Sequence, residues 1–192
     1  MAYLSETIVR ERAALITKSF QKSAGAILAD GRISLSENFD IFLSHSSSEP
    51  DEILLGVKKT LEDTGLTVYV DKYSDPQLSP ERVTPETAEI LRSRMRRSNS
   101  LLYVHSQHSK RSRWMPWELG YFDGLKGNVG ILPVTIDQES TFRGEEYLNL
   151  YPYVDVAKAQ DGKEQLLWLT KSSKEYARLY GWAKGSEKIR MH

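Results

Sequence analysis

A chain of 192 residues is ample for one hydrophobic core and short for two complete ones, so it reads as one domain with extensions. Its 26 basic and 26 acidic side chains balance, which removes any global argument for nucleic acid or an anionic membrane surface as a partner. The absence of cysteine excludes disulfide frameworks, thiolate nucleophiles and cysteine-ligated zinc together, and fits a reducing, cytoplasmic setting.

The first residues, 1–7, carry an acid early and no long apolar core or cleavage pattern, so neither a signal peptide nor a membrane span is expected. Residues 1–37 read as a helical extension: Leu4, Ile8, Leu15, Ile16, Phe20, Ile27 and Leu28 are spaced for one face of an amphipathic helix over residues 5–28, with Arg10, Arg12, Lys18 and Lys22 elsewhere. Such a helix either packs on a flank of the domain or offers a surface for self-association. Asp30-Gly31-Arg32 breaks it.

The run Phe39-Asp40-Ile41-Phe42-Leu43 then ends in Ser44-His45-Ser46-Ser47, the pattern of a strand feeding a polar loop. Further short apolar runs occur at residues 66–70, 101–104 and 129–136, separated by stretches of helical length. Strands alternating with helices imply an α/β fold with a central parallel sheet covered by helices on both faces. Ligands of such sheets bind beyond the carboxyl ends of the strands, so residues 44–47, 73–80, 106–109 and the helix that follows should share one rim.

Tyr73-Ser74-Asp75-Pro76-Gln77-Leu78-Ser79-Pro80, followed by Pro85, is a long, proline-punctuated loop of the kind that carries function. From Ile90 to Trp117 the chain holds Arg92, Arg94, Arg96, Arg97, Lys110, Arg111 and Arg113 and no acid. Arg92 to Arg97 should face solvent, whereas Lys110, Arg111 and Arg113 fall on the rim. Pro116 is tolerated only in the first turn of a helix, so a helix starts near residues 112–115 and sets Trp114 and Glu118 one turn apart on one face. An aromatic platform and a carboxylate then share a small site. Leu166, Leu167, Leu169, Tyr176, Leu179, Tyr180 and Trp182 suggest a last helix within residues 161–192 that closes the core.

Phosphate-cradling signatures, Gly-x-Gly-x-x-Gly after the first strand or Gly-x-x-x-x-Gly-Lys, do not occur. His45, His105, His108 and His192 lack the flanking acids or thiols of a metal site, so no metal is expected. His45 itself, beside three serines, reads as a turn residue.

Residues 39–46 and Trp114-Met115-Pro116-Trp117-Glu118-Leu119-Gly120 together resemble the Toll/interleukin-1 receptor (TIR) domain family, specifically its bacterial, NAD-cleaving members in Thoeris-like anti-phage systems. The likeness covers about residues 38–157, within a domain read as 38–160, and residues 71–85 take the position of the family's long loop. It implies a flavodoxin-like domain in which NAD+ is the substrate, no cofactor is needed, and Glu118 is the catalytic acid beside the nicotinamide-side ribose. By the same resemblance Phe42, Ser44, Trp114 and Tyr73 would line the substrate site, with Lys110, Arg111 and Arg113 at its phosphates. One carboxylate suffices for such a reaction, because nicotinamide leaves as a neutral molecule and the remaining task is to stabilise positive charge on the ribose. A helix amino terminus favours ionised Glu118 and aromatic surroundings disfavour it, which leaves its charge open at this level. The resemblance further implies homo-oligomers through TIR to TIR contacts and a separate effector that responds to the nucleotide product, whether ADP-ribose, a cyclised form or a conjugate. A non-catalytic TIR adaptor is the alternative.

Overall fold

The computed structural model describes residues 2–30, 36–71, 84–136, 146–158 and 165–191. Along the chain they form β1 (Leu4–Ser5), α1 (Glu6–Phe20), α2 (Ala24–Ala29), β2 (Phe39–Ser44), α3 (Asp51–Glu62), β3 (Val68–Tyr69), α4 (Pro85–Arg96) and β4 (Ser98–His105). There follow α5 (Trp114–Lys126), β5 (Val129–Thr135), β6 (Tyr153–Lys158), β7 (Gln165–Ser172), β8 (Glu175–Arg178), α6 (Leu179–Ala183) and β9 (Arg190–Met191). The sheet runs β3-β2-β4-β5-β6-β7-β8-β9, parallel as far as β6 and antiparallel beyond it. In the parallel part the second strand of the unit lies outside the first and the third on the other side, the flavodoxin-like order, and the direction of winding reverses between β2 and β4.

Both faces of the sheet are covered, as the alternation of strands and helices predicts. On one face Ile41, Leu43, Leu102, Val104, Leu132 and Val134 pack with Ile53, Val57 and Leu61 of α3 and with Val9 of α1. On the other, Phe42, Tyr69, Leu101, Tyr103 and Ile131 pack with Leu91 and Met95 of α4 and with Met115, Leu119 and Phe122 of α5. Local signals set the helix ends: Thr84 and Thr87 form a capping box around Pro85 at the start of α4, and Gly127, at φ 64°, closes α5. Among the described residues no helix is long and apolar enough to cross a membrane.

The structure corrects two expectations. The single amphipathic helix over residues 5–28 is two: Gln21 turns left-handed at φ 52° and its N–H closes on the Thr17 carbonyl, and Ser23 starts α2 by accepting from the Ala26 N–H. Its buried stripe is Val9 and Ala13 with Ile16, whereas Leu15 and Phe20 are each 63 % exposed. A second layer forms outside α3, where Ala13, Ala24, Leu28, Leu54 and Leu55 meet. The approach is so close that a Cβ on Gly56 would lie 1.9 Å from the Val9 carbonyl oxygen.

The second correction concerns the last helix. Residues 165–178 instead form β7 and β8, and helix remains only in the five residues of α6. Period two wins over period 3.6 here: Leu167 and Leu169 turn to the core, and Trp168 meets Tyr176 edge to face across the strands at 5.5 Å. This segment therefore extends the sheet by pairing with β6 rather than capping it.

Candidate active site

The site begins where β2 stops. Ser44, the last residue of β2, pairs in register with Tyr103 of β4, so it stands at the carboxyl-end crevice where the winding reverses. The helix entering that crevice from β4 is α5. Ser112 accepts from the Met115 N–H at its start, Pro116 sits in the first turn as its missing N–H requires, and Met115, Leu119 and Phe122 anchor the helix in the core. Glu118, one turn in, is thereby carried under the rim. It is 3 % exposed, and the Ser44 hydroxyl donates to its Oε2 at 2.6 Å.

Burial and helix position pull this carboxyl in opposite directions, and burial wins. Desolvation, helped by the negative charge of Asp71, raises the Glu118 pKa to about 8 against the opposing pull of the Ser44 hydrogen bond and of His45. Three further ionisable groups, His45, Asp71 and Glu49, complete the cluster. His45 Nε2 lies 2.7 Å from Asp71 Oδ1, and its Nδ1 lies 3.0 Å from the Ser46 carbonyl oxygen. Burial alone would lower the His45 pKa, but Asp71, with smaller help from Ser46 and Glu118, raises it above the ordinary value. Glu49, in the turn before α3, accepts from the Ser106 hydroxyl at 2.7 Å, and burial raises its pKa despite Ser106, His108 and His45.

The residues anticipated from sequence divide. Glu118 and Ser44 are brought together. Trp114 is half-buried and meets Trp117 edge to face at 5.3 Å, and Trp117 stacks on Tyr121 at 5.8 Å with the Arg92 guanidinium over its ring at 5.5 Å. Lys110 and Arg111 are exposed on a 3-10 turn at Ser109–Arg111, and Arg113 is exposed just before α5, so all three occupy the rim. Phe42 does not reach the site surface: it is 1 % exposed and packs against Tyr69 at 5.2 Å, behind Ser44. Phe42 shares this burial with the whole of β2, which is buried on both faces. Arg94 also departs from the solvent face expected for residues 92–97, being buried with its guanidinium 5.3 Å from the Tyr69 ring. Tyr73 and most of the proline-punctuated loop lie outside the described residues.

His45, Asp71 and Glu49 were not anticipated as parts of the site. Asp71 carried a usable signal, since a polar residue directly after the apolar run at 66–70 belongs on the carboxyl-end rim. His45 and Glu49 depend on pairing across 26 and 57 positions of sequence, with Asp71 and Ser106, which no local pattern reveals. Among the described residues no group of His, Cys, Asp and Glu is arranged to hold a metal ion. What the cluster offers is a carboxyl that is neutral at rest near neutral pH and becomes anionic when a positive charge arrives beside it. That is the behaviour required to stabilise a developing cation in a site that excludes water.

A family model described as "TIR domain" matches residues 41–167. A protein of Bacillus cereus named "Probable 3' cyclic ADP-D-ribose synthase ThsB'" is 46 % identical over 145 residues, which cover 75 % of this chain and 75 % of that protein. A protein of Cytobacillus dafuensis named "Putative cyclic ADP-D-ribose synthase TIR2" is 29 % identical over 84 residues, covering 43 % of this chain and 22 % of that protein.

Proposed function

The chain belongs to the TIR domain family, and from that premise we propose that it is an enzyme that cleaves NAD+ at the nicotinamide–ribosyl bond and closes the ADP-ribose fragment into a cyclic product. The single observation that carries this reading is the buried Ser44–Glu118 pair, 2.6 Å apart at the crevice between β2 and β4. As the C–N bond breaks, its electron pair leaves with neutral nicotinamide and positive charge grows on the ribose, directly opposed by the Glu118 carboxylate. The pyridinium of bound NAD+ favours ionised Glu118 before the bond breaks, so substrate arrival itself arms the site. The cation is then trapped by a nucleophile within the same molecule, as the names of both relatives suggest, rather than by water.

In this reading Trp114, one turn before Glu118 on α5, serves as an apolar wall, and the exposed Lys110, Arg111 and Arg113 serve as cations for the pyrophosphate. The ADP-ribose-derived product would serve as a signal to a separate effector in a cytoplasmic anti-phage response, with assembly into homo-oligomers through TIR to TIR contacts. An adaptor without catalysis is the second reading, favoured by the exposed Leu15 and Phe20 of α1, which offer apolar area for self-association. Chromatography with mass detection separates the two. Concentrated wild-type protein, with and without lysate from phage-infected cells, should convert NAD+ to nicotinamide plus a product of cyclic ADP-ribose mass, and Glu118→Gln should not. No nicotinamide under any condition, with concentration-dependent assembly, would establish the adaptor instead.

A further inference from the structure

His45 leaves β2 directly after Ser44 and turns its ring inward, with its side chain 2 % exposed. Nδ1 meets the Ser46 carbonyl oxygen at hydrogen-bond distance, 3.0 Å. Nε2 lies 2.7 Å from Asp71 Oδ1 as a close charge contact without hydrogen-bond alignment. A neutral imidazole has one N–H, so in either tautomer one nitrogen lone pair would point at an oxygen lone pair. Turning the ring over would set carbon atoms against both oxygens. Only the imidazolium donates to the Ser46 carbonyl through Nδ1 and at the same time sets positive charge, rather than a lone pair, against the Asp71 carboxylate.

The ionisable groups around this ring come from three elements. Asp71 follows β3, Glu118 belongs to α5, and Glu49 precedes α3 with Glu6 and His108 acting on it from the far side. A cation beside these buried or half-buried acids offsets part of the mutual repulsion of Asp71 and Glu118, which would otherwise push the Glu118 pKa higher still.

Resting on the reading of Glu118 as the acid for NAD+ cleavage, we propose that His45 is a positioning residue: an imidazolium fixed by Asp71 and the Ser46 carbonyl, whose positive charge keeps Glu118 accessible as an anion. Asp71 thus acts twice. It repels Glu118 directly and, by holding the charge on His45, repays part of that repulsion. A merely structural histidine at this place would fill space equally well when neutral.

Two NMR readouts on the full chain test the charge without relying on activity. Long-range proton–nitrogen spectra of the imidazoles should show His45 doubly protonated at pH 7.5, and Asp71→Asn should return it to a neutral tautomer at that pH. A neutral His45 in the wild-type protein overturns the inference. Carboxyl carbon titration, with the Glu118 signal identified by its loss in Glu118→Gln, should move upward by about one pH unit in His45→Gln, about tenfold in ionised fraction. If His45→Gln does not fold, Asp71→Asn supplies the decisive spectrum through the imidazole. In the rate profile, His45→Gln should lose about tenfold near pH 7 and recover most of that loss above pH 9, as a one-unit displacement of the acid limb requires. An equal loss at every pH, or a Glu118 midpoint that stays in place, overturns the inference while leaving NAD+ cleavage by Glu118 intact. A midpoint that moves while Glu118→Gln still cleaves NAD+ supports the electrostatic coupling and removes the functional reading instead.

Discussion

Two buried carboxyls beside opposite ends of one strand follow opposite rules. Asp40, near the start of β2, is 6 % exposed and accepts from the Thr67 N–H at 2.8 Å, the Thr67 hydroxyl at 2.9 Å and Lys184 Nζ at 2.8 Å, with Asn99 Nδ2 at 3.5 Å. Burial would raise its pKa, but Lys184 and Thr67 outweigh it and hold Asp40 below its ordinary value. Glu118, beside the end of β2, has the Ser44 hydroxyl at 2.6 Å and Asp71 pushing against it, and is held at about 8. The saturated acid ties β2 to the β3 edge and to the carboxyl-terminal segment. The undersatisfied one rests largely neutral and is drawn toward its anion by a cationic substrate, a poise that fits the role proposed for Glu118.

The largest expected effect would break this contrast if it failed. Glu118→Gln, which keeps shape and removes charge, should lower NAD+ cleavage by at least about a thousandfold with the fold intact, whereas Asp40→Asn should cleave NAD+ at an undiminished rate per folded molecule. Stability should show the reverse order. Asp40→Asn weakens the Lys184 contact and the Thr67 donors, costing roughly 2 kcal/mol and so several degrees of Tm at neutral pH.

The pH dependence of stability sharpens the comparison, because the two shifts have opposite signs. Asp40 titrates lower in the folded state, so its contribution is present above the ordinary value of 3.8 and disappears as pH falls through the lower folded pKa. Glu118 titrates higher in the folded state, so the stability linked to its neutral form is complete below 4.5 and is lost as pH rises toward and through about 8. Thermal unfolding from pH 3 to 9 should therefore show Asp40→Asn converging with wild type at the acid end. Glu118→Gln should overtake wild type at the alkaline end, and parallel Tm curves across the range would show that the two carboxyls are not differently poised.

How far the sequence could be read follows the same division. Strands at 39–44, 98–105 and 129–135 and the start of α5 rest on local signals, apolar runs and Pro116, whereas the meeting of Glu118 with the β2 exit follows from the parallel-sheet rim and the family resemblance. The carboxyl-terminal strands were read as helix because Leu166, Leu167 and Leu169 satisfy either period over so short a run, and only the free edge of β6 decides between them. The burial of Phe42 was not legible because a strand buried on both faces gives no alternation to say which way its side chains point. Asp40, His45, Asp71 and Glu49 were illegible as partners for a further reason. Their roles rest on contacts to Lys184, Asp71, His45 and Ser106, all distant in sequence, and an ionisation state is a property of such neighbours rather than of the residue.

The smallest effect tests how finely Glu118 is poised. The Ser44 hydroxyl donates to its carboxylate at 2.6 Å and is one of two influences, with His45, that lower its pKa. Ser44→Ala removes that donor without introducing charge, at a cost of about 1 kcal/mol to the anion, which moves the acid limb of NAD+ cleavage up by somewhat less than one pH unit. The rate should fall several-fold near pH 7 and recover above pH 9, whereas Ser44→Thr, which keeps a hydroxyl, should hold the wild-type limb. At Asp40 the equivalent loss, Asn99→Ala at the 3.5 Å contact, should leave the acid ionised and the Tm nearly unchanged, because Lys184 and Thr67 remain. A carboxyl with spare donors tolerates losing one, and a carboxyl with a single close hydroxyl does not. If Ser44→Ala shifted neither the limb nor the Glu118 titration, burial alone would govern Glu118, and the short hydrogen bond would be a consequence of packing rather than a control on charge.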